Sequence, residues 1–146
     1  MQTYDHGTFL IVLDCADLDR AADFWCAALG YDRPYPSGRY PQLEATQRGG
    51  VELLLQQVTE AKTGKNRLHL DLRTPDLDLE VQRLAGLGAS VLTTTPLVEH
   101  DWRWHVLTDP DGNEFCVLQP PTDFPWPATP ESSATTPEAR ETSRLG

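Results

Sequence analysis

The sequence predicts one α+β domain made of two tandem βαβββ units, followed by a tail. Three observations predict it. Short apolar runs rich in strand formers alternate with helically spaced segments bounded by Asp and Gly, in the order strand, helix, strand, strand, strand, and the whole order then repeats. Short motifs recur in the same chain order. Asp17-Leu18-Asp19 and Asp76-Leu77-Asp78 lie 59 positions apart, Leu29-Gly30 and Leu87-Gly88 lie 58 apart, and Gly50-Val51-Glu52-Leu53-Leu54-Leu55 and Gly112-Asn113-Glu114-Phe115-Cys116-Val117 lie 62 apart. The 146 residues, 39% apolar and 23% charged, suffice for a single ordinary core.

The first unit, about residues 8–58, opens with the strand Phe9–Leu13. Asp17 is a helix N-cap, Leu18, Ala21, Ala22, Trp25, Ala28 and Leu29 follow at helical spacing, and Gly30 ends the helix. Residues 31–40 contain Pro34, Pro36 and Gly38 and read as loop with at most a short strand. Gln42–Thr46 and Val51–Val58 read as strands around a Gly49-Gly50 turn. The second unit, about residues 66–120, opens with the alternating Arg67–Leu72. Asp76 or Thr74 caps a helix with the stripe Leu77, Val81, Leu84 and Leu87, stopped by Gly88. Ser90–Thr95, Trp102–Thr108 and Glu114–Gln119 are strands, and Asp109-Pro110-Asp111-Gly112 is the turn between the last two. Residues 121–146 are rich in Pro, Ser and Thr and read as a flexible tail with Phe124 and Trp126 as its anchors.

Twelve Lys and Arg against 22 Asp and Glu leave a net charge of −10. That balance excludes a basic nucleic-acid footprint and disfavours anionic membranes. No apolar run reaches the roughly 18–20 residues of a membrane span, and the N-terminus has no signal-peptide pattern, so the expected compartment is the cytoplasm. Cys15, Cys26 and Cys116 are odd in number and lack CxxC spacing, which argues against a disulfide framework or a structural zinc site.

The two-unit plan, the helix from Asp17 ending in Ala28-Leu29-Gly30-Tyr31, and the hairpin Asp109-Pro110-Asp111-Gly112-Asn113-Glu114-Phe115 carry a resemblance. Over about residues 8–120 the chain resembles the vicinal oxygen chelate superfamily, which includes glyoxalase I, extradiol dioxygenases, fosfomycin-resistance enzymes and bleomycin-binding proteins. Gly64-Lys65-Asn66-Arg67-Leu68-His69-Leu70-Asp71-Leu72 is similar to the glyoxalase-like domains of actinobacterial proteins. The resemblance implies curved mixed sheets around a cleft, helices on the outer face, a small-molecule ligand and, as in many members, a homodimer. It is specific for fold and not for substrate.

Strand alternation sorts each strand into two faces. Phe9, Ile11, Leu13, Val51, Leu53, Leu55, Leu68, Leu70, Leu72, Phe115 and Val117 form an apolar face that packs under the helices. Thr8, Leu10, Val12, Glu52, Leu54, Gln56, Arg67, His69, Asp71, Glu114, Cys116 and Leu118 form a mixed face of the kind that lines a ligand cleft. Metal-dependent members of the resembling superfamily place one ligand on the first and one on the last strand of each unit. Those positions are here Leu10, Leu54, His69 and Cys116, so no cofactor is expected. A lesser alternative is a divalent metal held by His69, His105, Cys116 and Glu52, which requires Thr108 to pair with Asn113 so that His105 enters the cleft.

His69 is the leading candidate for a general base, oriented by Asp71 or Glu114. Arg67 suits an anionic group of a substrate, and Glu52 with Glu114 occupy equivalent positions that can face one another. Cys116 reads as a small apolar filler sooner than as a nucleophile. Trp25 belongs to the core, Trp104 to the core or to an aromatic wall beside Trp102. The expected function is a metal-independent small-molecule enzyme or binder of secondary or xenobiotic metabolism, using acid/base chemistry of the isomerase, cyclase or lyase class in the cleft. The alternatives are a non-catalytic drug- or metabolite-sequestering protein of the bleomycin-resistance type and a divalent-metal lyase or dioxygenase.

Overall fold

Both helices begin at an aspartate and end at a glycine, and these caps set the frame of the chain. A computed structural model describes residues 9–33, 39–46 and 50–127. In α1 (Leu18–Leu29) the Asp17 carboxylate accepts from the Arg20 amide at 2.9 Å, and Gly30 closes the helix at φ 66°, where a Cβ is disfavoured. In α2 (Leu77–Leu87) Asp76 accepts from the Leu79 amide at 3.0 Å and Gly88 stands at φ 116°. Thr74, the other expected cap, instead accepts from the Asp76 amide at 3.2 Å.

The strands are β1 (Ile11–Cys15), β2 (Tyr31–Asp32), β3 (Gln42–Ala45), β4 (Leu53–Gln57), β5 (Leu70–Arg73), β6 (Ser90–Val91), β7 (Leu97–Glu99), β8 (Trp102–Thr108) and β9 (Glu114–Gln119). They form two sheets, in the orders β1-β4-β3-β2 and β5-β9-β8-β6, with β7 added beside β8. The two orders correspond strand for strand once β7 is set aside. The registers correspond as well: Ile11 pairs with Leu53 in the parallel pair β1/β4, and Leu70 with Phe115 in the parallel pair β5/β9, which reproduces both sequence offsets.

Several expected boundaries move. The first strand starts at Ile11, and Phe9 lies outside it, 70% exposed. Leu68 likewise precedes β5 and is 74% exposed, so neither joins the apolar face. The expected strand 90–95 is cut to Ser90–Val91, and β7 is an element the sequence reading missed. It turns into β8 through only two residues, His100 (φ 48°) and Asp101 (φ 64°), the signature of a type I′ hairpin built without glycine. Gly49, Thr8, the Pro34–Gly38 stretch and the tail beyond residue 127 lie outside the described residues.

The core lies between the helices and the apolar faces of both sheets. Trp25 of α1 meets Phe115 of β9 edge-on, with ring centroids 5.3 Å apart, and Phe24, missed in the expected stripe, stands against Trp25 at 5.1 Å. One buried carboxylate ties the two units. Asp109, 4% exposed, accepts from the Trp25 indole at 3.1 Å, from the Asp111 and Asn113 amides at 2.9 and 2.8 Å, and from the Asn113 side chain at 3.0 Å. Asn113 in turn donates to the Asp14 carbonyl at 3.1 Å. Arg83 of α2 donates to the Ala27 and Ala28 carbonyls at the C-terminal end of α1, at 3.0 and 2.9 Å, where a cation complements the helix dipole.

Two outcomes follow from this core. Replacing Asp109 by Ala strands four donors, including a buried indole, and is expected to lower stability by about 2–4 kcal/mol in urea denaturation. The Cys15 thiol, 3% exposed, is pushed up from 9.0 to about 11, first by burial and then by Asp111 and Asp109. It stays protonated in the folded chain while the unfolded chain ionises. Stability therefore falls as pH climbs from about 9 to about 11, and Cys15→Ala removes that part of the alkaline slope.

Candidate functional site

The chemistry gathers on the face of the second sheet that the helices leave open. Leu70 and Leu72 of β5 turn toward the helices, so His69, Asp71 and Arg73 project from the other side. Asp71 stands opposite Cys116 of β9, Cys116 opposite Val106 of β8, and Leu118 opposite Trp104. Register partners share a face, so these side chains border one open depression of about 610 Å³ with Lys65, Glu99, His100 and Trp102. The hairpin of β7 and β8 forms its far wall.

At the near side, His69 Nδ1 lies 2.9 Å from Asp71 Oδ1. A carboxylate only accepts, so in the neutral ring the proton sits on Nδ1 and the lone pair on Nε2. Nε2 has no hydrogen-bond partner among the described residues. Donor atoms of His69, Asp71 and Cys116 all fall within 4.8 Å of one another. Burial raises the pKa of the Cys116 thiol, and the Asp71 carboxylate raises it further. The group is therefore held as the neutral thiol at pH 7, which argues against a free thiolate nucleophile. Glu114 is engaged by Lys65, whose ammonium lowers the pKa of its carboxyl, so Asp71 and not Glu114 orients His69.

Register overturns one expectation and decides between two open alternatives. Thr108 pairs with Glu114, not Asn113, so His105 stands opposite Val117 on the helix side of the sheet. It is 8% exposed there, with Nδ1 3.1 Å from the Thr93 carbonyl and 2.7 Å from the Thr93 hydroxyl. The same register puts Trp104 on the open face, where it lines the depression beside Trp102, the aromatic wall of the two alternatives left open. The set His69, His105, Cys116 and Glu52 is consequently not assembled.

The remaining candidates scatter. Gln56 borders a separate depression with Leu18, Arg39, Tyr40 and Gln57. Glu52 is half-buried just ahead of β4, and Arg67 is exposed in the bend before β5. Leu54 pairs with Val12, and Leu10 precedes β1, on the open face of the first sheet. A metal set drawn from both units needs donors at Leu10 and Leu54, and leucine has none, so the residues present do not fit that group. Sequence reasoning assigned no role to Lys65, and it left Trp102 undecided between wall and core. Phe124, expected as an anchor of the tail, docks on Trp102, centroids 5.5 Å apart, with the Arg73 guanidinium over both rings, a partner the sequence did not name.

A family profile described as a glyoxalase-like domain matches residues 10–118. A glyoxalase-related enzyme from Fulvimarina pelagi is 19% identical, with a TM-score of 0.64 over 88% of this chain and 96% of its own. The fosfomycin resistance protein FosX from Listeria monocytogenes, in a mutant form complexed with Mn(II) and 1S,2S-dihydroxypropylphosphonic acid, is 18% identical, with a TM-score of 0.62 over 78% and 90%. A hypothetical protein from S. aureus is 20% identical, with a TM-score of 0.61 over 77% and 92%. No curated protein matches. Among the described residues no helix is long and apolar enough to cross a membrane.

The displaced histidine gives a direct check. His105→Ala removes the contact with Thr93, leaves the half-buried Thr93 hydroxyl with the Val106 amide alone, and is expected to cost about 1–3 kcal/mol of stability in urea denaturation.

Proposed function

The chain belongs to the glyoxalase-like domain family, and from that premise we propose that it binds a small organic molecule on the open face of its second unit and acts on it by metal-independent acid/base chemistry. The observation that carries this reading is the His69–Asp71 pair at 2.9 Å beside a depression walled by Trp102 and Trp104. The tryptophans offer flat apolar area to a planar ligand. Val106, Leu118 and Cys116 form its floor. Nε2 of His69 takes a proton from the bound molecule, and Asp71 holds the ring and stabilises the imidazolium that forms. Proton abstraction of this kind serves isomerase, cyclase and lyase chemistry alike. A small-molecule ligand is supported by the fosfomycin resistance neighbour, whose structure holds a small organic acid. Lys65 and Glu114, locked together at the rim, shape the entrance.

Sequestration without turnover is the rival reading, favoured by the same aromatic wall. The two part at His69. Compounds that raise the melting temperature of the full chain are incubated with it, and the mixtures are followed by mass spectrometry for conversion. His69→Ala is expected to lower turnover by about 10²–10⁴-fold with capture little changed, and Trp104→Ala to weaken capture at least about tenfold. Conversion by His69→Ala at the parent rate sinks the acid/base reading. Capture without conversion in the parent chain leaves sequestration.

A further inference from the structure

The far wall of the depression is suited to positive charge. Trp102 and Trp104 stand two residues apart on β8 and share one face, and Glu99 of β7 is the register partner of Trp102 on that face. Asp71 borders the same space from the near side. Lys65 at the edge is engaged by Glu114, His69 is held by Asp71, and His100 lies 4.0 Å from Glu99. The Arg73 guanidinium stands over Trp102 and Phe124, 5.9 and 5.5 Å from the ring centroids. The Trp102 indole thus already holds one cation at the distance where a ring quadrupole attracts it. Trp104 has no ring or cation partner among the described residues.

We propose that the depression takes a flat organic cation whose positive nitrogen lies against Trp104 and Glu99. The inference rests on the acid/base reading and names the class of molecule that reading acts on. An indole face beside a carboxylate rewards positive charge. An anion, such as the phosphonic acid held by the fosfomycin resistance neighbour, would meet two carboxylates here and no Lys or Arg free to pair with it among the described lining residues. The chemistry points the same way. A C–H bond next to a cationic nitrogen is more acidic than in the neutral molecule, because the electron pair left on carbon is drawn onto that nitrogen. His69 Nε2 takes the proton, the C–H bond breaks, and the ligand becomes neutral as the imidazole becomes imidazolium. Positive charge moves from the ligand to a ring that Asp71 already holds, whereas an uncharged ligand would have to separate charge. No further reactant is needed.

The test reads binding by equilibrium dialysis of the full chain against three flat bicyclic probes: N-methylquinolinium, quinoline, which is uncharged at neutral pH, and 1-naphthoate. N-methylquinolinium is expected to bind about tenfold tighter than quinoline, and 1-naphthoate more weakly than either. Added salt narrows the gap, because Glu99 is largely exposed. Glu99→Gln is expected to weaken the cation about threefold with quinoline within twofold, and Trp104→Leu to weaken the cation about tenfold. His69→Ala removes the base and not the seat of the charge, so the preference persists. Circular dichroism checks the fold of each variant. Equal binding of the cation and quinoline, tighter binding of 1-naphthoate, no saturable uptake of the cation, or an undiminished preference in folded Glu99→Gln and Trp104→Leu overturns the ligand class. If the chain converts uncharged or anionic compounds in a His69-dependent way and shows no preference for cations, the ligand class fails and the acid/base reading stands. If cations are preferred and His69→Ala converts them at the parent rate, or the parent chain converts none, the acid/base reading fails and the ligand class stands.

Discussion

The buried carboxylate of Asp109 is the constraint on which the rest of the molecule hangs. It closes the tight turn into β9, receives the indole of Trp25 from the first unit, and holds Asn113, which reaches the backbone of β1. Four donors on one carboxylate compensate the desolvation of the charge. The geometry then propagates. The turn fixes where β9 begins, β9 fixes the register of β5 and β8, and a slip of one residue would send every side chain of β9 to the opposite face. The meeting of Asp71 with Cys116 is thus decided at the turn, well away from either residue.

Symmetry of the backbone has not produced symmetry of chemistry. The two units share strand order, parallel pairing and capping, yet the open face of one carries Leu10, Val12 and Leu54 where the other carries His69, Asp71 and Cys116. The fold constrains the helix-facing positions in both units alike, because Leu53 and Leu55 and their counterparts Phe115 and Val117 are all buried. Open-face positions are free of that demand. Leu10 and Val12 remain 38% and 48% exposed, an apolar border beside a polar, aromatic-walled site.

What the sequence made legible follows from how local each signal is. Asp caps, glycine stops and the Asp109–Gly112 turn act within four residues, and all of them stand where the residues place them. The duplication was legible because motifs repeat in order, and the observed registers preserve both offsets. His69 beside Asp71 was legible from strand alternation alone. The position of His105 was not, because it depends on whether the hairpin closes at Asn113 or Glu114, a difference of one residue that pattern cannot resolve. The strand β7 was hidden for another reason. Its turn uses His100 and Asp101 at positive φ, where Asn-Gly or Asp-Gly would be the usual signal. Phe9 and Leu68 misled because they extend an apolar alternation past the point where pairing ends.

That concealed hairpin builds one side of the candidate site. Among the described residues of the first sheet β7 has no counterpart, and by pairing with β8 it forms the far wall of the depression. Two non-glycine residues in the left-handed region cost of order 1 kcal/mol or more each, a local strain that the rest of the pairing must offset. The strain is confined to the turn that aligns Glu99 with Trp102, and both residues line the depression. Behind that wall, Phe124 and Arg73 stack on Trp102 and fix its ring. Asp71 on β5 is thus held by an in-register strand pair, with His69 just ahead of that strand, and the aromatic wall by a strained turn and a stacked ring. Two independently anchored walls fix the distance between Trp102 and Trp104 on one side and His69 on the other. Such preorganisation is what a proton transfer needs more than it needs any particular substrate.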